Sequence, residues 1–155
     1  MPANEHIPYE EALKKAAALC SSREVCSSHM LTKLLSWKVS EADSARIITR
    51  LKEEKFLDDQ RFANMYVRDK FRLNGWGKIK LTQMLRQKEI PEPVIKQALE
   101  QIDPEQYYQT CERLISEKSA MLKESNLYKR KGKLFMYAAQ RGFESDLIHR
   151  ILSYL

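Results

Sequence analysis

Glycine is scarce in this chain, at four residues in 155, and proline is modest at five. Such a composition suggests neither disorder nor an all-β fold, which both lean on turn-forming residues. No apolar run reaches the length needed to span a bilayer. The opening MPANEHIPYE has no basic patch followed by an apolar stretch, so neither a membrane segment nor a secretory leader is expected. Cysteine is limited to Cys20, Cys26 and Cys111. An odd count without a leader points to reduced thiols and a cytoplasmic protein. His6, His29 and His149 are scattered, and the spacing of Cys20, Cys26 and His29 fits no usual zinc pattern, so no metal is expected. The phosphate loop GxxxxGK[ST], the dinucleotide turn GxGxxG and the zinc helix HExxH are all missing. Adjacent Asp58 and Asp59 read as a helix start, and Cys26, although near Arg23, has no base fixed beside it. Neither catalysis nor a cofactor is expected.

What the chain does have is unevenly placed positive charge. The formal net charge is +6. Residues 1–60 carry 9 basic and 10 acidic side chains, residues 61–88 carry 8 and 1, residues 89–128 carry 4 and 8, and residues 129–155 carry 6 and 2. The surplus sits in two blocks, which points to local anion-facing surfaces.

Hydrophobic spacing is helical nearly throughout, with no strand pattern. It predicts helices over roughly 8–20, 27–37, 41–55, 59–74, 78–88, 92–102, 104–120, 132–141 and 144–154. Residues 30–51, 81–102 and 134–155 align without a gap. Met30, Leu81 and Leu134 coincide, as do Leu34, Leu85 and Ala138; Val39, Ile90 and Phe143; Ile48, Leu99 and Leu152; and Leu51, Ile102 and Leu155. Each copy is a helix, a turn with one apolar plug and a second helix, and a further helix precedes each. The expected fold is all-α: three tandem three-helix repeats, at 1–56, 57–102 and 103–155, in an elongated, curved array. A compact helical bundle is the alternative.

Turn chemistry agrees with this division. Ser40 caps a helix, Asp103 caps another with Pro104 in its first turn, and Asp58 caps a third, with Leu57 and Phe62 placed as a staple. Gly142 suits a left-handed helix end. Lys38 and Glu89 stand at the equivalent positions, so the cap is expected to be imperfect there.

In RFANMYVRDKFRLNG, Arg61, Arg68 and Arg72 fall within about 40° of one another on a helix of 100° per residue. They form a cationic stripe opposite two apolar rows, and Lys70 projects between those rows, its ammonium snorkelling outward. Gly75 and Gly77 frame a corner expected to bring the next helix, with Lys78, Lys80, Arg86 and Lys88, close to that stripe. Trp76 is either a core plug or an exposed stacking platform. Basic residues return at equivalent positions in the third copy, in Lys129, Arg130, Lys131, Lys133 and Arg141. These side chains are the candidate contacts to an anionic partner. The ordinary alternative is a solvated face whose cations pair with acids of neighbouring repeats.

The stretch LDDQRFANMYVRDKFRLNGWGKIKLTQMLRQKEI (57–90) resembles the signature of the RecX family of bacterial recombinase regulators. The likeness runs through Leu57, Asp58, Asp59, Arg61, Phe62, Ala63, Tyr66, Val67, Gly75, Gly77, Lys78, Ile79, Lys88 and Ile90. Glu89 departs from it, because the family usually has glycine there. Arg23, Ser27, Leu31 and Leu35 follow a further family pattern. The resemblance implies a non-enzymatic three-repeat helical protein that binds the RecA filament on single-stranded DNA and most often inhibits its ATPase and strand exchange, within DNA repair, recombination and the SOS response. It implies DNA binding too, possible on double strands as well, by a monomer. It carries the family's basic concave surface onto Arg61, Arg68, Arg72, Lys78, Lys80, Arg86 and Lys88. Beside it stand two other readings: a sequence-tolerant nucleic-acid binder, and an adaptor array for protein partners alone.

Overall fold

A computed structural model describes residues 6–155. The expectation that no leader is present falls partly on residues 1–5, outside the described residues. Among the described residues there are nine helices and no strand: α1 (Tyr9–Ser22), α2 (Ser27–Ser36), α3 (Glu41–Glu53), α4 (Asp59–Asn74), α5 (Lys78–Gln87), α6 (Glu92–Leu99), α7 (Pro104–Met121), α8 (Leu127–Gln140) and α9 (Ser145–Leu152). None is long and apolar enough to cross a membrane. The sequence-based boundaries agree closely except at α8, which begins five residues before the expected 132. Asn126 starts it by accepting from the Lys129 amide at 3.0 Å, and Gly132 is carried inside the helix. The sequence signal there was a glycine, which costs about 1 kcal/mol in a helix interior and is outweighed by the cap and the apolar face beyond it.

The expected caps form. The Ser40 hydroxyl accepts from the Asp43 amide at 3.2 Å, Asp58 from Arg61 at 3.0 Å and Asp103 from Gln106 at 3.0 Å. Leu57 and Phe62 are both buried beside the Asp58 cap.

The repeat alignment is visible as a burial pattern. Met30, Leu81 and Leu134 are buried, as are Leu34, Leu85 and Ala138, and the plugs Val39, Ile90 and Phe143. Each buried aliphatic side chain of this kind contributes about 1.5–3 kcal/mol. Two differences matter. Leu155 is 53% exposed although its counterparts Leu51 and Ile102 are buried. Ser44 is fully buried where the other copies carry Ile95 and Ile148, and its hydroxyl has no hydrogen-bond partner among the described residues. The turn before each plug is left-handed in all three copies, at Lys38 (φ 64°), Glu89 (φ 60°) and Gly142 (φ 95°). The cap expected to be imperfect in copies one and two is therefore formed, at the cost of a strained non-glycine residue.

The chain packs as two compact units. The first holds residues up to Phe62 together with Lys88–Ile90, and the second holds Ala63–Gln87 and Pro91–Leu155. In the first, α1, α2 and α3 close over Ala12, Ala16, Met30, Leu34, Ile47 and Leu51. Cys20 packs at the edge of that core, whereas Cys26 is buried ahead of α2. The Ser28 hydroxyl donates to the Lys88 carbonyl at 2.6 Å.

In the second unit, the Gly-x-Gly corner has a different role from the one its position beside the arginines suggested. The Gly77 amide donates to the Arg141 carbonyl at 2.7 Å and the Ile79 amide to the Gly142 carbonyl at 2.9 Å. A Cβ at Gly77 would run into the Gly142 carbonyl, and one at Gly142 would run into Lys80. Tyr107 completes the junction: its hydroxyl accepts from the Lys78 amide at 2.8 Å and donates to Glu144. Burial, then the Glu144 hydrogen bond, pushes the Tyr107 hydroxyl far above its ordinary pKa, so it stays protonated. The amides at the start of α5 are thus satisfied from outside the helix, Lys78 by Tyr107 of α7, and Gly77 and Ile79 by the turn between α8 and α9.

Candidate functional site

The candidate cations divide into those the protein uses internally and those it presents to solvent. Arg61 belongs to the first group. Its Nε donates to Glu24 at 2.6 Å, Nη1 to the Lys55 carbonyl at 3.1 Å and Nη2 to the Phe56 carbonyl at 3.2 Å. The guanidinium both pairs with Glu24 and caps the chain leaving α3, and the bond to Glu24 raises its pKa further. Arg86 donates to Glu92 from Nε at 2.5 Å and Nη2 at 3.3 Å, a two-pronged pair that also holds the Glu92 carboxyl below its ordinary pKa. Arg130 is half-buried. It donates to the carbonyls of Leu122 at 3.1 Å and Glu124 at 3.0 Å, to the Ser119 carbonyl, and to the Ser119 hydroxyl at 2.8 Å. It ties the end of α7 to α8. Arg141 donates to the Asn74 carbonyl at 2.8 Å, closing the C-terminus of α4, and its guanidinium lies 4.9 Å from the Tyr137 ring centre. Lys133 pairs with Glu124 at 3.1 Å.

The second group lies on α4, α5 and α8. Arg68 and Arg72 are exposed one turn apart. Arg68 leans 3.6 Å from Asp69, and Arg72 has no carboxylate partner among the described residues. At the Gly-x-Gly corner, Trp76 is half-buried. The Lys80 ammonium stands 4.5 Å and the Lys70 ammonium 5.1 Å from the centre of its ring, with the Tyr66 ring 6.3 Å away. Lys78 holds its ammonium 4.8 Å from the Tyr107 ring centre. Trp76 is therefore neither a sealed core plug nor a bare platform; it is an aromatic post with two cations against it. Farther along the chain, Lys118 of α7 and Lys129 line an open cleft of about 590 Å³ with Tyr137, Gln140 and the already paired Lys133. Lys131 is half-buried at the rim of an apolar groove beside Phe135. The Lys88 ammonium lies 6.0 Å from the Phe62 ring centre in the first unit.

Sequence reasoning thus named Trp76 and Lys80, which the fold does bring together, whereas the Lys78 ammonium stands over Tyr107; Lys70 and Lys118 were not among the candidates. The spacing of Lys70 was legible, since it lies six residues before Trp76, but only the turn at Gly75 swings the indole back toward it. Lys118 is assigned to a site only once α7 is packed on α8. No cluster of three or more metal-ligating side chains occurs among the described residues.

Comparison with known proteins bears on these features. Residues 58–99 match the RecX second three-helix domain, and residues 105–152 match the RecX third three-helix domain. The chain is 36% identical over 115 residues to the regulatory protein RecX of Oceanobacillus iheyensis, covering 74% of this chain but 42% of that protein. It is 34% identical over 143 residues to the regulatory protein RecX of Chlorobium phaeobacteroides, covering 92% of each. The fold is similar to the crystal structure of RecX from Lactobacillus salivarius, with a TM-score of 0.87 at 19% identity over 95% of this chain and 96% of that one. A second crystal structure, of a regulatory protein RecX, also gives a TM-score of 0.87, at 24% identity over 94% of this chain and 71% of that one. Three-helix modules in tandem, two of them matching RecX domains, together with a full-length RecX relative at this identity, establish that the chain belongs to the RecX family of regulatory proteins.

Proposed function

We propose that this chain regulates a RecA-type recombinase by binding its filament on single-stranded DNA, where it slows ATP hydrolysis and strand exchange during DNA repair, recombination and the SOS response. The observation that carries this reading is the Trp76 corner. The ammoniums of Lys70 and Lys80 stand against one indole there, inside the segment that matches a RecX three-helix domain, with the Lys78 ammonium over the Tyr107 ring. The protein acts in the cytoplasm, as a monomer of three modules at 1–56, 57–102 and 103–155, and contributes contacts and no catalytic step of its own. Lys78, Lys80, Lys129 and Lys131 meet phosphate, and Arg68 and Arg72 meet the filament. Arg61, Arg86, Arg130 and Arg141 shape the modules that present them.

The test is a titration of filament ATPase with the cognate recombinase. A fall in ATP hydrolysis at stoichiometric protein or below supports the reading, and an unchanged rate across the whole titration removes it.

A second reading, a sequence-tolerant nucleic-acid binder, is favoured by the donor-only chemistry of Lys70, Lys78 and Lys80. It expects a steep salt dependence with single-stranded DNA alone. An adaptor array for proteins alone expects no DNA binding at any salt.

A further inference from the structure

Arg72 stands where two clefts of the second unit meet. One, of about 160 Å³, is lined by Val67, Arg68, Phe71, Arg72, Ile102 and two glutamines, Gln101 and Gln106. The other, of about 360 Å³, shares Phe71, Arg72 and Gln106 and adds Gln109, Thr110 and Arg113. Arg68 and Arg113 have acidic neighbours, at 3.6 Å from Asp69 and 3.1 Å from Glu117, but Arg72 has none among the described residues. Its guanidinium, with donors in a fixed fork, is the uncompensated charge of the pair of clefts.

The remaining polar groups narrow the ligand. The Gln101 amide nitrogen donates to the Ala98 carbonyl at 3.1 Å, and the Gln109 amide nitrogen donates to Glu105 at 3.4 Å. Each bond leaves the amide oxygen as an acceptor. A phosphodiester backbone offers acceptors only, so it would pair with the remaining amide N–H groups and offer nothing to the oxygens. A peptide offers N–H donors as well as carbonyl and carboxylate acceptors, and so matches both kinds of group. The floor, formed by Val67, Phe71 and Ile102, is apolar. The Trp76 corner is the opposite case, because its ammoniums are donors without acceptors.

We propose that the Arg72 double cleft is a docking site for an acidic, amphipathic peptide segment of a protein partner. A carboxylate seats two-pronged on Arg72, the adjoining backbone pairs with the glutamine amides, and a neighbouring apolar side chain rests on Val67, Phe71 and Ile102. This rests on the filament reading only in that the partner is then the filament's protein component, while the Trp76 corner takes its phosphates.

The experiment is an NMR titration of the isotope-labelled full chain with two probes of equal charge: a short acetylated peptide of leucine and glutamate, and a thymidine oligonucleotide. The peptide is expected to shift the Arg72 Nε–H and the Gln101 and Gln106 side-chain amides, and the oligonucleotide to shift Lys80 and the Trp76 indole. Arg72→Gln weakens the peptide by ~10-fold or more and leaves the oligonucleotide within about twofold at ~0.15 M salt. Arg72→Lys, which keeps the charge and loses the fork, falls between wild type and Arg72→Gln for the peptide. A wild-type chain that does not bind the peptide, or binds it elsewhere, overturns the proposal, as does an equal loss for both probes in Arg72→Gln. Filament ATPase, read separately, decides the regulator reading: a wild-type chain that leaves it unchanged sinks that reading, and the peptide titration still decides the cleft.

Discussion

Ser44 and Glu89 are single residues at which this chain departs from its own repeat. The buried Ser44 hydroxyl lies where the other copies place isoleucine and has no partner among the described residues. Ser44→Ala removes an unsatisfied buried polar group, so urea unfolding should register a gain of ~1 kcal/mol. A loss of similar size would mean that the hydroxyl is satisfied. Glu89 holds φ at 60° where the third copy uses glycine. Glu89→Gly exchanges side-chain strain for backbone freedom and should stabilise the native chain by ~0.5–1 kcal/mol; an equal loss would argue that Glu89 makes a contact worth more than its strain. Cys111 provides a pH signature. Burial pushes its thiol from 9.0 to about 12, with Glu144 adding to the effect. Between those values the unfolded chain has released a proton that the native chain keeps, so stability falls as pH rises. In Cys111→Ala that part of the fall disappears, and the stability curves of the two proteins converge from pH 9 upward. Parallel curves would contradict the assignment. These residue-level features were only partly legible in the sequence. The alignment put Ser44 and Glu89 at positions where other residues were expected, but burial and φ belong to the packed state.

At the scale of elements, helix periodicity, caps and the three-copy register could be read from the sequence because they depend on neighbours a few residues apart. The corner at Gly75–Gly77 could be read as a corner, but not as a joint. Its partners, Tyr107, Arg141, Gly142 and Glu144, lie well downstream, and no local pattern links them. The same limit explains the cationic set. Arg61, Arg86, Arg130 and Arg141 look alike to a charge count, yet each closes a helix end or a loop that only the fold supplies. Gly77→Ala should cost ~1–3 kcal/mol, because the added methyl meets the rigid backbone of the α8–α9 turn. Tyr107→Phe should cost a similar ~1–3 kcal/mol by stranding the Lys78 amide and the Glu144 carboxylate. If both variants unfold at the wild-type urea midpoint, the joint does not hold the second and third modules together.

On the scale of the whole molecule, the lysines that the second unit presents to solvent are what a polyanionic partner would meet, and the salt response measures it. Lys78→Ala with Lys80→Ala should reduce the salt slope for single-stranded DNA by about 1.4, at roughly 0.7 for each phosphate left unneutralised. Arg86→Ala should leave that slope unchanged, since Glu92 already occupies its guanidinium. A double variant with the wild-type slope would clear the Trp76 corner of phosphate. The central claim is recognition of a filament rather than of either of its components. The most direct measurement compares the affinity of the full chain for three targets at ~0.15 M salt: recombinase filaments on single-stranded DNA, the recombinase alone, and the DNA alone. The account predicts that the filament is bound ~10-fold or more tighter than either component, a gain of about 1.4 kcal/mol or more from joining two sites on one target. Filament binding no tighter than binding to DNA alone would contradict it.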